Sequence, residues 1–150
     1  MLEISYLLFT HNHILLFFFS ALRTPVTRAR RGGLKDVHAE MMLATVLKGV
    51  LAKTGIDPKL IEDVVVGNVL PPGGGATVAR MAALYAGIPE SSAVMTVNRQ
   101  CSSGLQAVAQ VASAIKSGYI DIGIGKLSSV QCNVFKRSNT LYLISYRRRC

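Results

Sequence analysis

The chain has no tryptophan, and aromatic residues make up only 7% of it. Large planar anchors are scarce, so a core must come from Ala, Val, Ile and Leu. That composition suits an α/β sandwich better than a disordered chain. Cysteine is scarce too, with three residues at Cys101, Cys132 and Cys150. An odd number at wide spacing is no disulfide framework, and there is neither a CxxC pair nor a Cys/His ligand set. A reducing compartment is the simpler expectation. Acid is in short supply, with 8 Asp and Glu against 17 Lys and Arg, a formal net charge of +9. The excess is uneven: residues 126–150 carry Lys126, Lys136, Arg137, Arg147, Arg148 and Arg149 and no acid. No nucleic-acid-reading motif accompanies this tail, so it reads as a solvated basic end, with no nucleic acid expected as partner.

Long apolar runs are missing as well. The uninterrupted ILLFFF at 14–19 is far shorter than the ~20 residues a membrane span requires. His11, Asn12 and His13 break the run before it, and Glu3 stands where a signal peptide would carry basic residues. No membrane span is expected. Residues 1–20 read as an atypical apolar leader running into a buried strand, with a cleaved or membrane-associated leader as the alternative.

What is present is a chain of 150 residues, half of them hydrophobic, with mean hydropathy +0.36. That is enough for one domain with a real core. Phe17–Arg23 reads as a buried strand, stopped at Thr24-Pro25 because proline has no N–H for the ladder. A basic loop, TRARRGGLK, leads to a helix that Asp36 can cap. Its apolar stripe is Val37, Met41, Ala44, Leu47 and Leu51, with Val50 adjoining, and Gly55 breaks it. Asp57-Pro58 starts a short turn. EDVVVGNVL at 62–70 is a continuous apolar run, as expected of a strand buried on both faces. PPGGG is a loop, Val78–Ala86 a short Ala-rich helix, and Ala93–Val97 a strand. Cys101–Ser117 reads as a helix with an apolar stripe of Leu105, Val108, Ala109, Ala112 and Ile115. Tyr119–Ile124 reads as one more strand. The order β-α-β-α-β-α-β predicts an α/β fold, a mixed sheet covered by helices. Beyond Gly125 the pattern dissolves, although LYLISY at 141–146 has strand character.

The chemistry centres on NRQCSSGLQA, residues 98–107. A thiolate is the attacking form of cysteine, and a helix N-terminus favours it. The expected layout places Cys101 at such a terminus, directly after a strand. Ser102, Ser103 and Gly104 add little bulk around the sulfur. First-turn amides, unpaired within a helix, can hold a developing oxyanion. On spacing alone, a small buried cysteine in a helix cap is the favoured reading, since free cysteine is among the most buried residue types.

The sequence decides between the two by resemblance. TVNRQCSSGLQAVA at 96–109 closely resembles the active-site cysteine motif of the thiolase family. ALRTPVTRARRGGLKD at 21–36, VVVGNVL at 64–70, ARMAALYAGIPE at 79–90 and AIKSGYIDIGIG at 114–125 resemble successive pieces of that family's N-terminal domain, in order. The similarity is greatest to its peroxisomal 3-ketoacyl-CoA branch. The resemblance implies residues 21–125 as a partial thiolase N-terminal domain and 126–150 as a divergent basic tail. It implies an acyltransferase in which Cys101 attacks a 3-ketoacyl-CoA, acetyl-CoA leaves, and a second CoA takes the acyl group, as in fatty acid β-oxidation. No metal and no redox cofactor is expected; coenzyme A thioesters are the substrates. A homodimer is implied for the complete family member. The implied location is the peroxisome, with cytoplasm as the alternative, because neither an Arg-x5-His pattern nor an SKL-like tripeptide is present.

Acyl transfer also needs a base and an acid. The family draws these from a Gly-His-Pro segment, an Asn-Glu-Ala-Phe segment and a second cysteine before a glycine run, and none of these occurs in this sequence. Its histidines are His11, His13 and His38, the last read as a solvent-facing residue of an early helix. Similarity is lost abruptly at both ends, as in a truncated or mis-spliced product. The expectation is therefore a chain inactive alone. The alternative role is a non-catalytic fragment that associates with full-length subunits, and a membrane-attached peptide held by residues 1–22 is a third, weaker reading.

Overall fold

A computed structural model describes residues 9–11, 14–25, 27–28, 31–127 and 140–148. Its elements in chain order are β1 (Phe9–His11), β2 (Ile14–Arg23), α1 (Ala39–Thr54), β3 (Asp63–Gly67), α2 (Ala76–Tyr85), β4 (Ala93–Val97), α3 (Ser103–Lys116), β5 (Ile122–Leu127) and β6 (Thr140–Arg148). One sheet takes all six strands in the order β1-β2-β6-β5-β3-β4. β3 pairs in parallel with both β4 and β5, while β6 runs antiparallel to β5 and to β2. The expected α/β fold with a mixed sheet is what forms.

The helices divide between the two faces for a topological reason. The chain steps outward from β3 to β4 through α2, then back across β3 to β5 through α3. Right-handed crossovers taken in opposite directions place their helices on opposite faces. The alternation of β3 shows the result. Val64 and Val66 face α1 and α2, packing with Leu47, Val50, Ala83 and Ile124. Val65 faces α3 and packs with Ala107, Val111 and Ile115. Burial on both faces is why VVV carries no polar residue. Fully buried side chains such as Leu47 and Val50 each contribute roughly 1.5–3 kcal/mol.

α3 lies unusually close to the sheet. A Cβ on Gly67 would stand 2.6 Å from the Gly104 amide nitrogen, and one on Gly125 would stand 2.8 Å from the Val108 Cα. Bare glycines on two neighbouring strands thus form the bed on which this helix rests.

Several expectations need correction. α1 starts at Ala39 with exposed His38 in the N-cap position, so Asp36 does not cap it and Val37 lies outside it. The amides of Lys35 and Val37 are already taken by the carbonyls of Gly32 and Leu34 in a preceding turn, which holds the chain out of the helix. Ala44, Leu47, Val50 and Leu51 of the expected stripe are buried, together with Met42, Leu43 and Val46, whereas Met41 is exposed. On α3 the buried stripe is Ala107, Val111 and Ile115, whereas Leu105 is 67% exposed. β5 begins at Ile122, leaving Tyr119 in an exposed loop. The strand character of 141–146 is realised as β6. Cys132, Cys150, His13, Lys136, Arg137 and Arg149 lie outside the described residues. Among the described residues no helix is long and apolar enough to cross a membrane.

Candidate active site

The carboxyl ends of β3 and β4 meet at one corner of the sheet, the end at which open α/β sheets place their ligands. Two asparagines tie that corner together. The Asn68 amide donates to the Val97 carbonyl (2.9 Å), and the Asn98 side-chain amide donates to the Val69 carbonyl (3.2 Å). Asn68 is buried, and its side chain also donates to the Gly74 carbonyl (2.9 Å). The loop after β3 and the turn after β4 are thereby held in mutual register.

Between β4 and α3 the chain reverses in five residues, 98–102. Asn98 Oδ1 accepts from the Gln100 amide at 3.0 Å. Gln100 has φ +50°, the one described residue other than glycine in the left-handed region, an uncommon conformation for a side chain of that size. The turn presents Cys101 to solvent as an exposed free thiol.

α3 begins at Ser103, so Cys101 stands two residues before the helix rather than within its first turn. Ser102 occupies the N-cap position without a side-chain cap bond. The bonding falls to Ser103, which is 2% exposed. Its hydroxyl donates to the Gln100 carbonyl (2.6 Å) and accepts from the Arg99 amide (2.8 Å). The amides of Ser102 and Ser103 are bound by the carbonyls of Arg99 and Gln100. Among the described residues, nothing accepts from the next two amides, Gly104 and Leu105. The Arg99 guanidinium reaches Gln106 Oε1 one helical turn on. Gln100, Ser103 and Gly67 thus build the turn that carries Cys101. Sequence alone marked Cys101, but it gave no sign that Ser103 rather than Ser102 is the brace.

The described residues bring no histidine to this corner. His38 stands at the N-cap position of α1, on the face of the sheet opposite α3, and the backbone of His11 lies in β1, at the far edge of the sheet from β4. Among the described residues no group of three His, Cys, Asp or Glu is placed to hold a metal ion.

A parallel β3–β5–α3 bed with a cysteine turn at the strand ends defines the class. The family model "Thiolase, N-terminal domain" matches residues 17–128, and the chain belongs to that family. It is 57% identical over 107 residues to "3-ketoacyl CoA thiolase 1, peroxisomal" of Petunia hybrida, an alignment covering 71% of this chain and 23% of that protein. It is 50% identical over 120 residues to the peroxisomal 3-ketoacyl-CoA thiolase of Yarrowia lipolytica, covering 80% of this chain and 28% of that protein. Among solved structures it is similar to the dimeric peroxisomal thiolase of Saccharomyces cerevisiae, with TM-score 0.70 and 40% identity over 74% of this chain and 29% of that one. It also resembles the Acat5 thiolase from Ascaris suum in complex with coenzyme A, with TM-score 0.69 and 33% identity over 74% of this chain and 29% of that one. The chain spans about a quarter of the length of the curated relatives it matches.

Proposed function

We propose that Cys101 is the acyl-accepting nucleophile of a thiolase site, and that this chain holds the nucleophile without the groups that complete turnover. The observation that carries the reading is an exposed thiol on a braced turn at the carboxyl ends of β3 and β4, just before α3. In the proposed reaction the Cys101 thiolate adds to the keto carbon of a 3-ketoacyl-CoA. The bond between C2 and C3 then breaks, its electron pair stays on C2, and a proton supplied there gives acetyl-CoA. The acyl group left on sulfur passes to the thiolate of a second CoA, which regenerates Cys101. Each half needs a proton carrier, and the described residues bring no histidine to the turn. The peroxisomal names of the relatives support peroxisomal β-oxidation as the setting. No metal or redox cofactor enters this scheme.

The test is acetoacetyl-CoA cleavage by the purified chain. No thiolysis is expected, and turnover near that of a complete thiolase would overturn the reading. Iodoacetamide at neutral pH is expected to label Cys101 ahead of Cys132 and Cys150, whereas equal labelling would show that the seat is not formed.

One observation favours a second role, association with a complete thiolase subunit. Among the described residues β4 is the sheet's outer strand, paired only with β3, and Met95 on it is 41% exposed. An unpaired edge is a template for another strand, and a solved relative is described as dimeric. Co-purification with a complete subunit is the expected result, and a stable monomer that ignores such subunits would exclude this role.

A further inference from the structure

β6 lies beyond the stretch that matches the family, 17–128, yet it fills the gap between β5 and β2. At the seam where it joins β5 stands Lys126, in register with Val66 of β3 on one side and Leu141 of β6 on the other. Gly123 and Gly125 face α3, so alternation turns Lys126 with Ile124 toward the α1 and α2 layer. The side chain is 0% exposed, and among the described residues its Nζ has no hydrogen-bond partner.

Among the described residues the neighbouring elements offer no counter-charge. β3 presents Val64 and Val66 on that face, and Asp63 stands in register with Gly123, on the α3 face. The inward residues of α1 and α2 are apolar. The titratable groups of these two helices are Glu40, Lys48, Lys53, Arg80 and Tyr85, and none bonds to Lys126. Lys48 sits over the Tyr85 ring, and Arg80 donates to the carbonyls of Ser92 and Glu90. On β2, Arg23 is exposed. On β6 the titratable residues are Tyr142, Tyr146, Arg147 and Arg148, with Tyr142 in register with Gly125.

A lone ammonium in an apolar layer is expensive, and the cheapest relief is exposure to water. The nearest boundary is the seam itself. We propose that the β5–β6 seam is a pH-sensitive joint: it closes when the Lys126 amine gives up its proton and opens when the amine takes one, freeing β6 from β5. The inference stands apart from the chemistry of Cys101. Burial pulls the amine from 10.5 down to about 7, which supports the direction. Between those values the open form binds a proton that the closed form does not, so opening grows as pH falls from 10.5 to 7 and levels off below.

Hydrogen exchange of the full chain, corrected for intrinsic rates, tests this in peptides covering 122–127 and 140–148, with α1 as reference. Seam opening is expected to rise about fifty-fold from pH 9 to pH 7 and to change little below pH 6. Lys126→Met is expected to abolish that dependence. Should the variant fail to fold, the wild-type profile still decides, because an inflection near pH 7 in seam peptides that exchange faster than α1 reads the amine in the open joint. The proposal is overturned if Lys126→Met keeps the wild-type pH response, if the wild-type profile is flat, or if the seam peptides are as strongly protected as α1 at every pH.

Discussion

Substituting Gly67 by alanine tests how far the cysteine turn depends on the bed beneath α3. A Cβ there would stand 2.6 Å from the Gly104 nitrogen, 2.7 Å from the Gly104 Cα and 2.7 Å from the Ser103 carbonyl carbon. Ordinary contact begins at 3.4 Å, so the nearest atom must retreat by about 0.8 Å. All three are backbone atoms at the start of one helix, so no side-chain rotation relieves the clash. Overpacking of this kind costs about 1–3 kcal/mol. The retreat also pulls Ser103 from its two partners at 2.8 and 2.6 Å, adding roughly 1 kcal/mol for each net bond lost. Gly67→Ala is therefore expected to destabilise the chain by about 3–5 kcal/mol in urea unfolding, and to slow iodoacetamide labelling of Cys101. Gly33→Ala is the control, because a Cβ there meets nothing within 4 Å. Equal unfolding midpoints for the two variants would refute the reasoning.

Two other substitutions separate local causes. Ser103→Ala removes both the donor to Gln100 and the acceptor for Arg99 at a buried position, and is expected to lower stability by about 1–3 kcal/mol. Ser102→Ala removes no cap bond and is expected to leave the unfolding midpoint close to wild type. Lys126→Met is expected to stabilise. From pH 10.5 down to about 7 the unfolded chain binds a proton that the folded chain does not, so wild-type stability falls with pH across that window at up to ~1.4 kcal/mol per pH unit. The cost reaches roughly 5 kcal/mol near pH 7. The variant should be more stable by up to that amount, with a flatter profile from pH 7 to 10, and parallel urea-unfolding profiles would contradict this.

How much was legible beforehand depended on whether one local signal was unopposed. VVV at 64–66 admits one reading, a strand buried on both faces, and β3 is that strand. The Asp57 side chain accepts from the Lys59 amide and caps the short turn that Asp57-Pro58 announces. α3 was misphased because it is apolar on more than one face: Leu105, Ala109 and Ala112 recur as regularly as Ala107, Val111 and Ile115. What selects the inward face is the close approach of Gly104 to Gly67 and of Val108 to Gly125. Those pairs are distant in sequence, and periodicity cannot see them. β6 escaped a firm reading because its neighbours β5 and β2 come from remote parts of the chain. Lys126 reads from sequence as part of a solvated basic end, and the structure buries it instead, because its burial is a product of the assembled sheet.

The cysteine turn uses contacts that all lie between Gly67 and Gln106. Its shape therefore requires β3, β4 and α3 but no partner from the histidine-bearing segments. Turnover has different requirements, because carbon–carbon cleavage leaves a charge on carbon that only a placed proton can quench. In this chain the two properties should come apart: selective alkylation of Cys101 reports the turn alone, and thiolysis reports the turn together with its proton carriers. A chain in which Cys101 reacts selectively with iodoacetamide yet does not cleave acetoacetyl-CoA is the outcome the proposed function expects. Loss of both properties would place the defect in the α3 bed and leave the proton carriers untested. Restoring cleavage by adding a complete subunit whose own nucleophilic cysteine is blocked would show that the turn is competent and that only its partners were missing.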